Sequence, residues 1–260
     1  MMNAILFVFF VAVGYLFGSV CSAVIVSRLF DLPDPRTKGS KNPGASNVLR
    51  LAGRNYAAVV LGADMLKGFI PVLFAQLLGA SPNIVAFTCF AAVMGHLFPV
   101  FFDFKGGKGM ATAIGALLGF HPMLGIAVAV TWLVIANFWR YSSLASIFSI
   151  ILMPFYAIVI THNLAILTPL SLMMLFILYQ HRDNFTRLMD GTESKIKLHH
   201  HDMGDITDEL FSTEEKTPNK ATANGQNKTA ASKKTVPKKA SKTTKTTKKT
   251  TKTAKKKPGH

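Results

Sequence analysis

Between two apolar runs the chain reads Phe104-Lys105-Gly106-Gly107-Lys108-Gly109-Met110-Ala111-Thr112. Three glycines and two lysines at the edge of membrane-grade hydrophobic sequence point to anion chemistry. Glycine lets backbone amides turn toward a ligand, and lysine adds a mobile point charge. Together they suit a phosphate, bound by Lys105, Lys108 and amides of Gly106, Gly107 and Gly109. Because the neighbouring chain is apolar, the expected phosphate carrier is a lipid or a lipid precursor. A nucleotide loop is excluded by spacing. The Walker motif needs four residues between Gly and Gly-Lys, then Ser or Thr. Here Gly109 follows Lys108, and Thr112 comes too late.

Three other polar clusters carry comparable chemistry. Gly39-Ser40-Lys41-Asn42-Pro43-Gly44-Ala45-Ser46-Asn47-Val48-Leu49-Arg50 combines neutral donors, freed amides and a guanidinium that forks onto phosphate. The same residues also read as a turn opening a helix, with Ser46 or Asn47 as N-cap, and both readings stay open. Asp64 and Lys67, at i and i+3 in an apolar run, share a helix face and can neutralise each other where charge is costly. They read as a structural ion pair, with a role in orienting the site left open. Ser143-Leu144-Ala145-Ser146 and His181-Arg182-Asp183-Asn184 form the last cluster, with His181 and Asn184 on one face. Glu193, just beyond, is expected to anchor basic loops by ion pairing.

The elements that must position these clusters are helices in a bilayer. Half of the 260 residues are hydrophobic, and the first 180 are mostly Leu, Ile, Val, Ala and Phe broken by short polar segments. A helical crossing takes roughly 20 apolar residues, and only closed hydrogen-bonded elements survive in lipid. Candidate helices fall at about 3–25, 56–78, 84–102, 110–138, 143–160 and 164–180. Arg28, Arg36, Lys38, Lys41, Arg50 and Arg54 crowd the first loop, which places it in the cytoplasm and the N-terminus outside. An unbroken 110–138 helix would then leave Arg140 and the basic tail outside. Splitting it at His121-Pro122, into 110–120 and 122–138, returns both to the cytoplasm. The expectation is an all-α polytopic membrane protein of seven transmembrane helices, N-terminus outside and C-terminus cytoplasmic, the short pass shielded by protein. The first segment lacks a basic n-region and reads as a retained helix. Cys21 and Cys89 lie in apolar runs and read as small hydrophobes.

Charge is unevenly placed. The formal net charge is +16, yet fifteen lysines, with no arginine and no acid, lie from Lys216 onward. The high pI therefore describes a tail and not a nucleic-acid-binding fold. The expected organisation is a membrane domain over 1–198, an acidic spacer over 199–215 and a disordered Lys/Thr/Ala-rich tail over 216–260. That tail is expected to remain solvated, to adsorb to anionic lipid headgroups, or to contact nucleic acid nonspecifically.

Taken in order, the clusters resemble the bacterial acyl-phosphate:glycerol-3-phosphate acyltransferase family over roughly residues 10–196. The likeness rests on Gly18-Ser19, Gly39-Ser40-x-Asn42-x-Gly44-Ala45-x-Asn47-Val48-x-Arg50 and Asp64-x-x-Lys67-Gly68. It continues through Gly95-His96-x-x-Pro99, the Gly-Lys segment, Ser143-Leu144-Ala145-Ser146, His181-x-x-Asn184 and Arg187-Leu188-x-x-Gly191-x-Glu193. Lys41, Pro43 and Cys21-Ser22 depart from the family's pattern. The resemblance implies a seven-pass inner-membrane enzyme that moves a fatty acyl group from acyl phosphate to glycerol 3-phosphate, giving lysophosphatidic acid and phosphate, with no cofactor and no metal. It carries Ser40, Asn42, Arg50, Lys108, Ser146, His181 and Asn184 onto active-site positions. Phosphate contacts fall to Lys105, Gly106, Gly107, Gly109, Gly44 and Asn47, and structural roles to Asp64, Lys67 and Glu193. Acyl phosphate is already activated, so no covalent acyl-serine is needed. The proton of the attacking hydroxyl goes either to His181 or to a substrate phosphate oxygen.

Two other classes compete with this reading. A thioester-dependent acyltransferase needs a His-x4-Asp pair, and the match His200 to Asp205 lies in a polar stretch beyond the last helix, with no apolar run to build a pocket. An anion transporter would suit Gly-broken helices, but the polar clusters gather on one side and no repeat halves are visible.

Overall fold

The computed structural model describes residues 2–196. Among them every regular element is helical. The helices are α1 (Met2–Gly18), α2 (Ser22–Leu29), α3 (Ala45–Ala52), α4 (Arg54–Leu77), α5 (Pro82–Leu97), α6 (Met110–Phe120), α7 (Pro122–Trp139), α8 (Ser142–Thr161), α9 (Leu167–Gln180) and α10 (Arg182–Met189). Short 3-10 turns occupy Val100–Phe102 and Leu164–Ile166. The acidic spacer, the Lys-rich tail and the His200–Asp205 pair lie outside the described residues.

Five spans are long and apolar enough to cross a bilayer: Asn3–Leu29, Arg54–Leu77, Pro82–Phe102, Pro122–Trp139 and Ser142–Thr161. A sixth arises if Leu164–Gln180 and Arg182–Met189, which bend by 54°, count as one. Met110–Phe120 is apolar but too short to cross unaided. The expected break at 121–122 is present. His121 is extended, with φ −154 and ψ 110, and Pro122 starts α7, where its missing N–H costs nothing.

Three features differ from the expected helices. The first apolar run is not one helix. At its break, the Ser19 hydroxyl donates to the Tyr15 carbonyl at 2.8 Å, and the chain restarts at Ser22. Two short helices, α3 and α10, occupy stretches read as loops. Finally, the cap of α3 is Gly44, with no side-chain cap bond, rather than Ser46 or Asn47.

Close backbone approach holds the short α6 against α4. A Cβ on Gly68 would stand 2.2 Å from the Thr112 carbonyl oxygen, and one on Gly115 would stand 2.0 Å from that of Met65. Small residues of this kind let helices pack where lipid removes the hydrophobic drive. The apolar core runs from Phe10 and Val72 through Val93, Leu97 and Leu117 to Met153, Leu170 and Ile177. Turns 76–82, 120–121 and 161–163 line one cavity of about 300 Å³. The polar segments near residues 43, 107, 142, 184 and 193 meet one another elsewhere, through the contacts described next.

Candidate functional site

Lys108 follows two glycines that lie on the end of α5. The Gly107 amide donates to the His96 carbonyl at 3.1 Å. A Cβ on Gly106 would stand 2.0 Å from that same oxygen, and one on Gly107 would stand 2.3 Å from His96 Nε2. Glycine is therefore required here by close approach, and the Gly107 amide faces α5 instead of a ligand. Gly109 caps α6 with φ +87, a left-handed conformation that glycine adopts without penalty.

This loop aims Lys108 at the last helix. Its ammonium donates to the side-chain oxygen of Asn184. The Asn184 amide nitrogen donates to Glu193 Oε1 at 2.6 Å, and the Ser143 hydroxyl donates to the same oxygen at 2.8 Å. Arg187 Nε donates to Glu193 Oε2 at 2.7 Å. Burial holds the Lys108 pKa down to about 8, while the nearby Glu193 charge opposes that fall. Burial pushes the Glu193 carboxyl up. The hydrogen bonds from Ser143, Asn184 and Arg187 outweigh it and hold the pKa below the usual range. A strap from Gly191 to Ile196 brings Glu193 into place. Ile196 donates its amide to the Arg140 carbonyl at 2.6 Å and receives the Arg140 guanidinium on its own carbonyl at 3.1 Å.

His181 sits at the α9–α10 bend, buried, with Nδ1 2.8 Å from the Ile177 carbonyl oxygen. A carbonyl only accepts, so Nδ1 carries the proton and Nε2 of the neutral ring is the acceptor. In the first loop and α3, Ser40 and Arg50 are exposed, and Asn42 and Gly44 are half-buried. Arg50 lies in the last turn of α3, close enough to bear on the charge of Lys108. The Pro43 carbonyl oxygen lies 3.2 Å from the Cβ position of Gly107, so the two loops approach each other. Lys105 is exposed.

Two residues expected at the site are engaged elsewhere. Asn47 is buried; its oxygen accepts the Ser40 amide at 2.9 Å, and its nitrogen donates to the carbonyls of Pro35 and Lys38 at 2.9 and 3.0 Å. These bonds brace the loop that carries Ser40. Ser146 donates to the Ser142 carbonyl at 2.8 Å and accepts from Trp132 Nε1 at 3.0 Å. One turn earlier, Ser143 is the serine that joins the Glu193 network. Its place one residue into α8 was visible in the sequence, but its partner, fifty positions on, was not.

Asp64 and Lys67 pair as expected, at 2.8 Å, both buried. Lys67 also donates to the Val20 carbonyl at 2.7 Å, at the α1–α2 break. Asp64 Oδ1 lies 3.7 Å from His96 Nδ1, which is 3.0 Å from the Thr112 hydroxyl. Among the described residues no group of three His, Cys, Asp or Glu is placed to hold a metal.

A family model for glycerol-3-phosphate acyltransferase matches residues 8–191. A glycerol-3-phosphate acyltransferase of Legionella pneumophila (strain Corby) is 60% identical over 195 residues, which is 75% of this chain and 70% of that protein. One from Methylococcus capsulatus is 46% identical over 183 residues, 70% of this chain and 92% of its own length. Among solved structures, PlsY, an integral membrane glycerol 3-phosphate acyltransferase in its glycerol 3-phosphate form, superposes with a TM-score of 0.70 at 38% identity. The match covers 74% of this chain and 96% of that one. The lysophosphatidic acid form of PlsY matches with a TM-score of 0.68 at 37% identity.

Proposed function

This chain belongs to the glycerol-3-phosphate acyltransferase family of phospholipid biosynthesis, and on that premise we propose that its acyl donor is an acyl phosphate and its product lysophosphatidic acid. The observation that carries the reading is the Lys108–Asn184–Glu193 assembly, with His181 one turn before Asn184 and Arg50 near enough to bear on the charge of Lys108. Both proposed substrates bear phosphate, and this assembly offers an ammonium and a guanidinium with no serine–histidine couple for an acyl-enzyme.

In the proposed reaction a glycerol 3-phosphate hydroxyl oxygen attacks the acyl carbonyl carbon. A new ester C–O bond forms, the bond between the acyl carbon and the bridging oxygen breaks, and that oxygen leaves with the bonding pair as part of inorganic phosphate. Lys108 and Arg50 hold the phosphates so that the reacting atoms meet, and such positioning contributes roughly 7–11 kcal/mol when the geometry is good. Ser40 and Asn42 supply neutral donors for the carbonyl oxygen as it becomes an oxyanion. The hydroxyl proton passes to a substrate phosphate oxygen, whose pKa of about 6 is close to that of imidazole. Glu193 is unsuited as base, because three donors stabilise its charged form. His181 and Asn184 position the hydroxyl.

Seven crossings are our reading, with α6 the short one beside the five or six spans long enough to cross unaided. The cavity shared by the 76–82, 120–121 and 161–163 turns is consistent with α6 ending at the face where α5 begins and α8 ends. The basic first loop and Arg140 support a cytoplasmic position for the catalytic end, in what we read as the inner membrane. For the lysines after residue 215, charge alone supports attraction to anionic lipid headgroups, at about 1 kcal/mol per lysine near the surface.

The deciding experiment supplies purified protein with palmitoyl phosphate and labelled glycerol 3-phosphate, without coenzyme A. Labelled lysophosphatidic acid is expected. No product unless acyl-CoA or acyl carrier protein is added would overturn the donor assignment. In the same assay His181→Gln is expected to keep most of its single-turnover rate. A loss of several orders with unchanged binding would return the base role to His181.

A further inference from the structure

A buried ion pair in an apolar helix is costly, and apolar residues of similar volume often stabilise a protein as well or better. Asp64 and Lys67 persist inside α4 all the same, and what they touch gives them a use. Lys67 holds the Val20 carbonyl, and Asp64 lies against the His96 ring. His96 belongs to α5 but forms the floor of the Gly-Lys loop. Its carbonyl takes the Gly107 amide at 3.1 Å, and its Nε2 is 2.3 Å from the Cβ position of Gly107. At the other edge of the ring, Nδ1 meets the Thr112 hydroxyl of α6, the helix into which the loop runs. The ring is thus held between three helices, and the loop lies directly on it.

We propose that His96, braced by Thr112 and by the Asp64–Lys67 pair, is a positioning residue that sets the seat of the Gly-Lys loop and so places the Lys108 ammonium for substrate phosphate. This rests on Lys108 being a phosphate ligand. Lys108 is the residue after Gly107, so a tilt of the ring or a collapse beneath it displaces the ammonium directly. No reacting atom touches His96; it acts through the loop.

The test compares Thr112→Val, His96→Asn and Lys108→Met. Thr112→Val keeps side-chain shape but removes the hydroxyl, and His96→Asn keeps a polar atom near the Nδ1 position but removes the floor. Kinetics with both phosphate substrates are measured, together with the rise in melting temperature on adding glycerol 3-phosphate to detergent-solubilised protein. A displacement of about 1 Å can cost about 10²-fold, so Thr112→Val and His96→Asn are each expected to lower kcat/KM by about tenfold or more. Their ligand-induced stabilisation should shrink, beyond any fall in the ligand-free melting temperature that the loss of a buried hydrogen bond brings. On a Lys108→Met background, Thr112→Val should cause little further loss, which a general packing role would not predict. Wild-type kcat/KM and ligand response in Thr112→Val and His96→Asn, beside an impaired Lys108→Met, overturns the inference alone. An additive loss on the Lys108→Met background does the same. A Lys108→Met protein with wild-type kinetics overturns the phosphate reading and the inference with it. If His96→Asn fails to fold, Thr112→Val alone decides by the same criteria.

Discussion

The ammonium of Lys108 donates to the side-chain oxygen of Asn184, joining a glycine loop to a helix 76 positions later. Asn184 in turn donates to Glu193, so one amide orients a cation and engages the carboxylate that would otherwise capture it. Asn184→Ala removes both functions and frees Lys108 to swing toward Glu193. A hydrogen bond to a charged group contributes about 1.5–3 kcal/mol, so Asn184→Ala should lower kcat/KM by about 10–100-fold. Steady-state kinetics with palmitoyl phosphate check this. Asn184→Asp should be no better. It keeps the acceptor for Lys108 but sets a second carboxylate against Glu193.

The charge of Lys108 gives the activity an alkaline limit. Its pKa is lowered to about 8, chiefly by burial. Below that pH the ammonium is charged and attracts phosphate. As pH rises through it, the charge is lost and binding weakens. The kcat/KM profile should therefore fall above about pH 8. Arginine stays charged throughout, so Lys108→Arg should abolish that limb even if it lowers the plateau. A flat wild-type profile to pH 10 would exclude Lys108 as the titrating ligand.

Much of this arrangement was legible in the residues, for identifiable reasons. The α6–α7 break could be read because loop charge asks for an extra crossing and His121-Pro122 offers a place for it; proline alone does not mark a break, since Pro71 and Pro154 sit inside α4 and α8. Lys108, Asn184 and Glu193 could be read as members of an ordered set, since their polar clusters stand between or just beyond the apolar runs. What failed to show depended on contact. Asn47 and Ser146 have the residue types of a site, but nothing local reveals that their hydrogen bonds are already taken. The break at Ser19 is hidden by an apolar run that continues through it. Helices α3 and α10 are eight residues each, too short for hydropathy to separate them from loops. His96 was visible only as part of a motif, because its use comes from a backbone approach that no periodicity encodes.

Glu193 should link stability to acid pH. Hydrogen bonds from Ser143, Asn184 and Arg187 hold its folded pKa below the ordinary carboxylate range, against the upward push of burial. Its contribution is then fully present above the unfolded pKa and is lost as pH falls through the depressed folded value. Glu193→Gln replaces one acceptor oxygen with a donor that faces donors already in place, and should cost about 1–3 kcal/mol of stability at neutral pH. Melting temperatures across pH 3–7 should show the wild-type advantage over Glu193→Gln narrowing toward the acid end. A gap that stays constant with pH would mean that the carboxylate charge contributes nothing.

The short helix α6 decides the number of crossings. With 11 residues it spans about 16 Å at 1.5 Å per residue, roughly half of a hydrocarbon core. It can carry the chain across only if α4 and its other neighbours shield it, and the close approach at Gly68 and Gly115 provides that packing. His121 then lies on the face opposite Lys105 and Arg140, in keeping with the cavity its turn shares with Ala80 and Asn163. Single cysteines at 105, 121 and 140, in a background without Cys21 and Cys89, can be labelled from either side by a membrane-impermeant maleimide. Positions 105 and 140 should label from the cytoplasmic side and position 121 from the outside. Labelling of position 121 from the cytoplasmic side would make α6 re-entrant and leave α7 to cross by itself, one crossing fewer. Arg140 would then stand outside, against the positive-inside argument.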